Sequence, residues 1–504
     1  MLSITAGINQ KRKGDTLFNV SFFLVQGKGR HMSNHQLLLK QGWQQHQTGR
    51  LDQAEHKYQQ VIADDPKNAD AWVFMGILQF DQRQFESSTD SYRKALKLKD
   101  HYPIAWNNLG NSLRMLGSVD EAEKCFIQAL SQQPNYLSAF KNRGTLWIWA
   151  GEIEKGLKWY QEGLKHHPDE VELHRNLGVI HLLLGNYDIG WPEYRWRWKF
   201  PGMYRPATDA PTWKGEPLEN KTILLYPEQG LGDAIQFIRV ANELTKQGAR
   251  VYAQVGDRLE ALFCSAPGID RLLNRDQPLP RFDYHASFIE VIDYLYQATG
   301  EIAWGSDLFK NLPGYLRVSD ALIDYWRQWF AKRSSITVPP TPTGSKRLRV
   351  GINWQGNPDH HADVYRSIPL EILAPLTTID HVELYSLQFG FGSEQLTHSQ
   401  FNGEIVKFPE HVDTDGGAFT DTAAILRNLD VVVTTDTSVT HLAGAVGTKT
   451  YLLLGKVPDW RWLRSGSSTP WYPHMRLFRQ SKLGAWDEPV AEVASLLRKT
   501  ANAG

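Results

Sequence analysis

The chain has 504 residues, enough for about three domains, and its 55 basic residues are balanced by 55 acidic ones. This balance argues against a nucleic-acid-binding protein, whose affinity depends on neutralising phosphates. The two cysteines, Cys125 and Cys264, exclude a disulfide framework and predict a cytoplasmic protein. No apolar run approaches the roughly 18 residues that a membrane span needs.

The N-terminal segment, residues 1–34, precedes any repeated pattern. Basic residues at 11–13 and the apolar stretch 17–25 loosely imitate a signal peptide, but polar residues interrupt that stretch and no small-residue cleavage site follows it. We therefore expect an extension that is disordered or not translated, with an export signal as the alternative.

The next segment, residues 35–202, has a period of 34 residues. A glycine column and an aromatic column keep this step: Gly42, Gly76, Gly110, Gly144 and Gly178, and Tyr58, Tyr92, Phe126, Tyr160 and Tyr194. Such columns, with a proline closing the second helix, are typical of tetratricopeptide repeats, because glycine lets two helices approach and the ring fills the space between one helix pair and the next. We predict five helix pairs stacked as an α-solenoid with a concave groove, and these residues as its core.

Residues 203–218 are rich in proline and glycine and predict a linker. Beyond it, apolar runs alternate with helical patterns, which predicts two α/β domains with parallel sheets, residues 219–333 and 347–504, joined by the proline-rich linker 334–346. The predicted strands are residues 222–226, 251–255, 348–354, 382–387, 431–435 and 450–454, and a helix is predicted at 234–247. Two domains of this kind bind ligands in a cleft between the carboxyl ends of their strands.

The loop after the first predicted strand contains Gly230, Gly232 and Asp233. The glycines allow a tight turn and a close approach of substrate to the backbone, and Asp233 stands at the start of the following helix. A purely structural role is the alternative for Asp233, because aspartate is a favoured helix N-cap.

The segment 429–445 predicts a strand, a polar loop and a helix. Thr437, Ser438 and the adjacent amides would direct hydroxyl and N–H donors at one point, with the positive end of the helix dipole behind them. A diphosphate requires such a set of donors. The alternative is an ordinary capped helix in which His441 is hydrogen-bonded locally.

Three segments, residues 230–233, 351–357 and 436–445, together resemble the heptosyltransferase-type glycosyltransferases. Residues 385–388, 458–462 and 471–473 are more closely similar to bacterial proteins that fuse tetratricopeptide repeats to that catalytic domain. The resemblance covers roughly residues 35–500. It implies two Rossmann-like domains in a GT-B fold, inverting transfer from a nucleotide sugar, and no catalytic metal or other cofactor. The first domain would then face the acceptor and the second the nucleotide sugar.

The resemblance also implies roles for individual residues. Asp233 corresponds to the family's proposed general base, and Gly230 and Gly232 would lie beside the acceptor. The residues expected to bind the donor are Trp354, Asn357, Arg366, Asp436, Thr437, Ser438 and His441. Heptosyltransferases carry a lysine soon after the equivalent of Trp354, whereas the nearby cation here is Arg366, so the resemblance does not identify the donated sugar.

The sequence thus predicts a metal-independent glycosyltransferase whose repeats hold a protein acceptor. Asn107, Asn142 and Asn176 recur near the 34-residue spacing on the predicted first helices, and their amides are candidates for binding an extended peptide. A solvated helix face is the alternative for these asparagines. Two other functions compete: a tetratricopeptide scaffold with a non-catalytic domain, and an epimerase, which would need a dinucleotide fingerprint whose third glycine is missing at 230–233.

Overall fold

The computed structural model describes residues 32–228, 230–301, 314–337, 347–360, 362–398, 401, 404–414 and 417–503. The described chain divides into two compact units, one ending at Gly202 and the other beginning at Met203. Residues 1–31 of the predicted N-terminal extension lie outside the described residues.

The first unit is an α-helical repeat array, as the 34-residue period predicts. Its five helix pairs are α1 (Asn34–Gln47) with α2 (Leu51–Asp64), α3 (Ala69–Asp81) with α4 (Phe85–Leu98), α5 (Pro103–Met115) with α6 (Val119–Gln132), α7 (Leu137–Trp149) with α8 (Ile153–His166), and α9 (Val171–Leu183) with α10 (Tyr187–Tyr194). A short 3₁₀ helix, Arg195–Lys199, follows the last pair.

The glycine column packs on the aromatic column inside each helix pair. A methyl group added to Gly42 would lie 2.5 Å from Cε1 of Tyr58, and one added to Gly76 would lie 2.7 Å from Cε1 of Tyr92. The sequence placed these rings between neighbouring pairs, and that prediction is incomplete. The ring of Tyr58 contacts its own pair and also stacks on Phe74 of the next pair, with 5.4 Å between ring centroids.

The turns between repeats are closed by a side-chain hydrogen bond. The indole Nε1 of Trp72 donates to the Pro66 carbonyl over 3.1 Å, and Nε1 of Trp106, one period later, donates to the Asp100 carbonyl over 3.0 Å. Asp100 stands where other repeats have proline. The turn therefore keeps the backbone acceptor when the proline ring is absent.

The second unit begins with irregular chain. Residues 203–218 form no helix or strand apart from one bridge between Thr212 and His285. The segment is nevertheless packed, because Trp213 is buried and its backbone N–H donates to the His285 carbonyl over 2.8 Å.

The first sheet of this unit comprises β1 (Thr222–Tyr226), β2 (Arg250–Val255), β3 (Arg271–Asn274) and β4 (Tyr284–Ser287), in the order β3-β2-β1-β4 with every pairing parallel. Its helices are α11 (Leu231–Phe237), α12 (Val240–Lys246), α13 (Asp257–Phe263) and α14 (Phe288–Thr299). The next helix, α15 (Asp320–Thr337), packs against elements of the second sheet, where Nε1 of Trp326 donates to Asp421 over 2.8 Å. The single helix predicted at 234–247 is wrong: the helix starts at Leu231 and is interrupted at Ile238 and Arg239. Helix α15 continues to Thr337, so the second linker begins later than the predicted Ser334, and residues 338–346 lie outside the described residues.

The second sheet comprises β5 (Leu348–Asn353), β6 (Val382–Ser386), β7 (Ile405–Val406), β8 (Val431–Thr435), β9 (Thr450–Leu454) and β10 (Met475–Arg479). Its order is β10-β9-β8-β5-β6-β7, again with every pairing parallel. Around it lie α16 (Asp363–Arg366), α17 (Ala374–Thr377), α18 (Gln395–His398), α19 (Thr420–Leu426), α20 (Ser438–Ala445) and α21 (Asp487–Ala503), with 3₁₀ turns at Leu370–Leu373 and Trp460–Trp462. A tetratricopeptide solenoid is thus followed by a parallel-sheet α/β region.

Candidate functional site

Asp233 lies in the first turn of α11, directly beyond the carboxyl end of β1. The N-cap of this helix is Gly230, so the alternative of Asp233 as a structural cap is wrong. The Asp233 carboxylate instead accepts a hydrogen bond through Oδ1 from Nη2 of Arg461, over 2.5 Å. Its side chain is 19% exposed. The sequence segment that resembles a catalytic loop therefore contacts a residue 228 positions further along the chain.

Arg461 is buried and holds a fixed orientation, because three side chains accept from its guanidinium. Besides the bond to Asp233, Nη1 donates to Oδ1 of Asp459 over 2.8 Å, and Nε donates to Oε1 of Gln236 over 2.8 Å. Asp233 and Gln236 come from α11, whereas Asp459 and Arg461 come from the loop after β9. This cluster joins the two halves of the unit.

Sequence reasoning used the motif 458–462 only as a resemblance and missed Arg461 as a site residue. The available signal was an acidic and a basic residue two positions apart, Asp459 and Arg461, with a tryptophan on each side of the arginine, in a loop after a buried strand. Buried charges are rare unless they are paired, so such a segment indicates an ion-pair partner elsewhere in the fold.

The charges of this cluster are set by burial and by Arg461. Burial raises the pKa of Asp233 above its ordinary value, and the guanidinium of Arg461 opposes that rise. Burial alone would also raise the pKa of Asp459, but Arg461, through its side chain and its backbone N–H, holds it below the ordinary range. Asp459 is therefore the permanent counter-ion of Arg461, and Asp233 is the more basic carboxylate.

Helix α20 begins at Ser438, with Thr437 as its N-cap residue. The Thr437 hydroxyl does not point its proton outward as predicted: Oγ1 donates to Oδ1 of Asn353 over 2.8 Å. The Thr437 side chain therefore fixes the loop, and its hydroxyl oxygen can only accept a hydrogen bond from a ligand. Ser438 is half-buried and makes no side-chain hydrogen bond within the described part of the chain.

His441 is buried one turn into α20, and its ring is held by aromatic neighbours. Nδ1 lies 3.0 Å from the Tyr472 hydroxyl, and the ring stacks on Trp462 with 5.4 Å between centroids. The alternative of a local hydrogen bond is therefore wrong, since Tyr472 is 31 residues away. Burial lowers the pKa of His441 to about 3, so the imidazole is neutral at pH 7.

The two halves meet where Gly232 faces α20. A methyl group added to Gly232 would lie 2.9 Å from Cδ2 of His441 and 3.5 Å from Cα of Ser438, whereas one added to Gly230 would meet nothing within 4 Å. A close approach of two helices thus explains the glycine at 232. Neither glycine has a positive φ, so the predicted tight turn is not the reason for them.

The other predicted donor residues are distributed around the carboxyl end of β5. Arg366 donates through Nη1 to the backbone carbonyl of Asp436 over 2.9 Å, so these two residues lie together, and donor binding by them stays a prediction. Asn357 is exposed, and its Oδ1 accepts from the Asp359 N–H over 2.9 Å. Trp354 is fully buried within the apolar core of the second sheet, so its ring packs the sheet and does not reach the site.

A polar network not found from the sequence connects three loops of the second sheet. Oε1 of Gln388, which follows β6, accepts from Nδ2 of Asn353 over 2.8 Å and from the backbone N–H groups of Trp354 and Gln355. Asn353 in turn accepts from Thr437. Because β6, β5 and β8 are adjacent strands, these bonds fix the loops at their carboxyl ends relative to one another.

In the repeat unit, the three predicted acceptor-binding asparagines lie on α5, α7 and α9 as expected. Asn142 donates through Nδ2 to Oδ1 of Asn107 over 2.9 Å, and Oδ1 of Asn176 accepts from Arg175. Asn107 and Asn176 are buried, so the alternative of a solvated helix face is wrong for both. The bond from Asn142 to Asn107 links neighbouring repeats, and peptide binding stays a prediction.

Comparison with known proteins bears first on the repeats. A family model described as tetratricopeptide repeat matches residues 39–103, and a second with the same description matches residues 103–136. Residues 39–136 are tetratricopeptide repeats. Repeats of this kind indicate a scaffold that binds protein partners.

A curated relative covers more of the chain than these family models. Protein FlbA of Caulobacter vibrioides is 25% identical over 337 residues, which is 61% of this chain and 52% of the relative. The chain therefore spans about half the length of this relative.

Among solved structures, Pseudomonas aeruginosa pilF is 16% identical and covers 42% of this chain and 86% of its own, with a TM-score of 0.33. A tetratricopeptide protein of Thermus thermophilus, TTC0263, is 18% identical; the match covers 33% of this chain and 91% of that protein, with a TM-score of 0.31.

Within the described residues, no helix is both long and apolar enough to cross a bilayer, and no three His, Cys, Asp or Glu side chains are grouped as metal ligands.

Proposed function

We propose that this chain is a glycosyltransferase that transfers a sugar from a nucleotide-sugar donor to a protein acceptor bound by the repeats. The α/β region would be a GT-B fold of two Rossmann-like domains. One observation carries the proposal: the helix that follows β1 and the helix that follows β8 meet at Gly232 and His441. This meeting brings a basic carboxylate and a helix N-terminus together at the carboxyl ends of two parallel sheets, where such sheets bind ligands.

In the proposed mechanism, the acceptor hydroxyl attacks the anomeric carbon while the bond from that carbon to the diphosphate oxygen breaks. The hydroxyl proton passes to Asp233, and the nucleoside diphosphate leaves with the bonding electron pair. The amides at the start of α20, the Ser438 hydroxyl and the nearby Arg366 would stabilise the charge on the leaving group. Attack from the opposite face inverts the anomeric configuration, and no step requires a metal ion.

The neutral state of His441 fits this arrangement. A charged imidazole would attract the diphosphate. It would also place a second positive charge against Gly232, next to the proposed base Asp233. Because burial keeps His441 neutral, Asp233 has Arg461 as its cationic partner, and the ring is available to pack α20 against α11.

The test is a panel of UDP-, GDP- and ADP-sugars with the full-length protein, followed by transfer assays with the donor that binds. Asp233→Asn should leave donor affinity nearly unchanged, because the base does not hold the donor. Transfer should fall by about 10²- to 10⁴-fold, the usual contribution of a positioned base. Transfer at the wild-type rate with saturating donor would show that Asp233 is not the base.

The role of the repeats is tested separately, because residues 32–202 form their own compact unit. Removing this unit should abolish transfer to a protein acceptor while leaving donor binding by residues 203–504 intact. Undiminished transfer to the same protein would assign the acceptor to the α/β region alone.

A second candidate function is a scaffold whose α/β region performs no chemistry. The ion pair between Asp233 and Arg461 favours it, because a carboxylate that holds two halves of a fold together has a structural reason to be present. This function predicts that no nucleotide sugar is hydrolysed or used for transfer and that Asp233→Asn acts on stability alone. Hydrolysis or transfer with any donor in the panel would exclude it.

A further inference from the structure

Only one of the two oxygens of the Asp233 carboxylate is hydrogen-bonded within the described residues. Oδ1 accepts from Nη2 of Arg461, and no hydrogen bond reaches Oδ2 from any residue that the structure describes. The side chain is also partly exposed, so one oxygen is directed by the protein and the other is accessible. A general base needs this division, because the oxygen that takes the proton must be free while the carboxylate keeps its orientation.

We infer that Arg461 is a positioning residue, which Asp459 and Gln236 hold in place so that Oδ2 of Asp233 takes the acceptor proton. This inference rests on the proposed function. The planar guanidinium has its donors at fixed angles, and three acceptors around it determine its plane. Lysine could not reproduce this arrangement, since a single ammonium group carries one rotatable set of donors.

Arg461 also sets the charge of the base. The ionisable groups that act on Asp233 within the described residues are Arg461 and Asp459, from the loop after β9, and Glu228, from the preceding loop. The neutral ring of His441 lies against the adjacent Gly232. Asp459 and Glu228 raise the pKa of Asp233, as burial does, and Arg461 lowers it. Removing the guanidinium therefore raises that pKa further. Transfer, which needs ionised Asp233, would then be lost at a higher pH as the solution is acidified.

The experiment compares three full-length variants. In Arg461→Lys, we expect transfer to fall by about 10²-fold, the usual loss when a reacting group is misplaced by about 1 Å, with an unchanged KM for the donor. Gln236→Leu removes only the acceptor of Nε and should give a smaller loss in the same direction. Arg239→Lys is the matched control, because Arg239 is also buried and also joins the halves, donating through Nη1 to the Trp471 carbonyl over 2.8 Å without contacting Asp233.

A direct readout needs neither donor nor acceptor. Aspartate labelled with ¹³C at Cγ reports each carboxyl group by NMR, and the Asp233 resonance is identified by its loss in Asp233→Asn. Lysine would keep the positive charge, so this measurement replaces the guanidinium by an uncharged side chain: the pKa of Asp233 should rise in Arg461→Gln and stay unchanged in Arg239→Gln. Circular dichroism at each pH confirms that the variants are folded.

The outcomes separate the inference from the proposed function. If Asp233→Asn abolishes transfer while Arg461→Lys leaves the rate unchanged and Arg461→Gln leaves the Asp233 pKa unchanged, the inference is wrong and the base acts without Arg461. Equal rate losses in Arg461→Lys and Arg239→Lys, with identical pH profiles, would also overturn it, since joining the halves would then be the whole effect. If Asp233→Asn transfers normally, Asp233 is not the base and the inference falls with it. If the wild-type protein transfers no sugar from any donor of the panel, the proposed function itself fails.

Discussion

The contact between Gly232 and His441 makes a sharp prediction, because Gly230 provides a control two residues away. Gly232→Ala places a methyl group 2.9 Å from Cδ2 of His441, so one of the two helices must move. His441 cannot turn aside easily, since its ring stacks on Trp462 and lies within hydrogen-bonding distance of Tyr472. Gly230→Ala meets nothing within 4 Å, and the φ of −68° at Gly230 suits alanine.

The expected magnitude follows from two opposing effects. Overpacking a close contact costs about 1–3 kcal/mol, while replacing glycine by alanine inside a helix returns about 1 kcal/mol. Gly232→Ala should therefore destabilise the α/β region by about 0–2 kcal/mol. Gly230→Ala gains a few tenths to about 1 kcal/mol from reduced unfolded-state entropy and loses a similar amount because alanine is a poor N-cap, for a net change near zero.

Urea unfolding of both variants, followed by tryptophan fluorescence, measures this difference. Calorimetry with the donor identified in the panel then shows whether displacing His441 also weakens donor binding, which we expect for Gly232→Ala and not for Gly230→Ala. Equal stability and equal donor affinity in the two variants would refute the close contact between α11 and α20.

Two further predictions concern α20. Thr437→Val should cost about 1 kcal/mol of stability, the usual value of one hydrogen bond, with little change in donor affinity. Ser438→Ala should weaken donor binding about tenfold or more, because a hydrogen bond to a charged phosphate is lost. If calorimetry instead shows weaker donor binding for Thr437→Val than for Ser438→Ala, Thr437 is the residue that contacts the phosphate. The pKa of His441 is about 3 in the folded protein and about 6.5 in the unfolded chain. Between these pH values the unfolded chain binds a proton that the folded protein does not. The free energy of unfolding therefore falls as the pH drops from about 6.5 to about 3. His441→Gln should remove up to about 1.4 kcal/mol per pH unit of that slope, and unfolding curves of both proteins that fall in parallel from about pH 6 to about pH 4 would contradict the assignment.

The strands show which parts of the α/β region the sequence could predict. Strands β1, β8 and β9 have the predicted bounds, and β2, β5 and β6 each differ from prediction by one residue at one end. The four strands that were missed, β3, β4, β7 and β10, are the edge strands of the two sheets. Central strands of a parallel sheet are buried on both faces and form continuous apolar runs, whereas edge strands are short and mixed in character.

The candidate site divides in the same way. Local sequence was sufficient to place Ser438 at a helix start and Asp233 beside a strand end, because strand, loop and helix follow one another in the chain. It could not show that the Thr437 hydroxyl is committed to Asn353 or that Trp354 is enclosed in the sheet core. Both facts depend on which strands are neighbours in the sheet. The local sequence pattern does not determine that strand order.

The sequence by itself determined the repeat architecture, because each helix pair contacts mainly its neighbours and the same residues recur every 34 positions. It also determined the alternation of central strands and helices, since burial on both faces requires continuous apolar runs. Only the tertiary structure decided the partner of Asp233. Arg461 lies 228 residues away, on the other half of the α/β region, and the ion pair exists because two loops at the carboxyl ends of different sheets are folded against each other. No local periodicity encodes such a contact, since it depends on packing between elements that are distant in the chain.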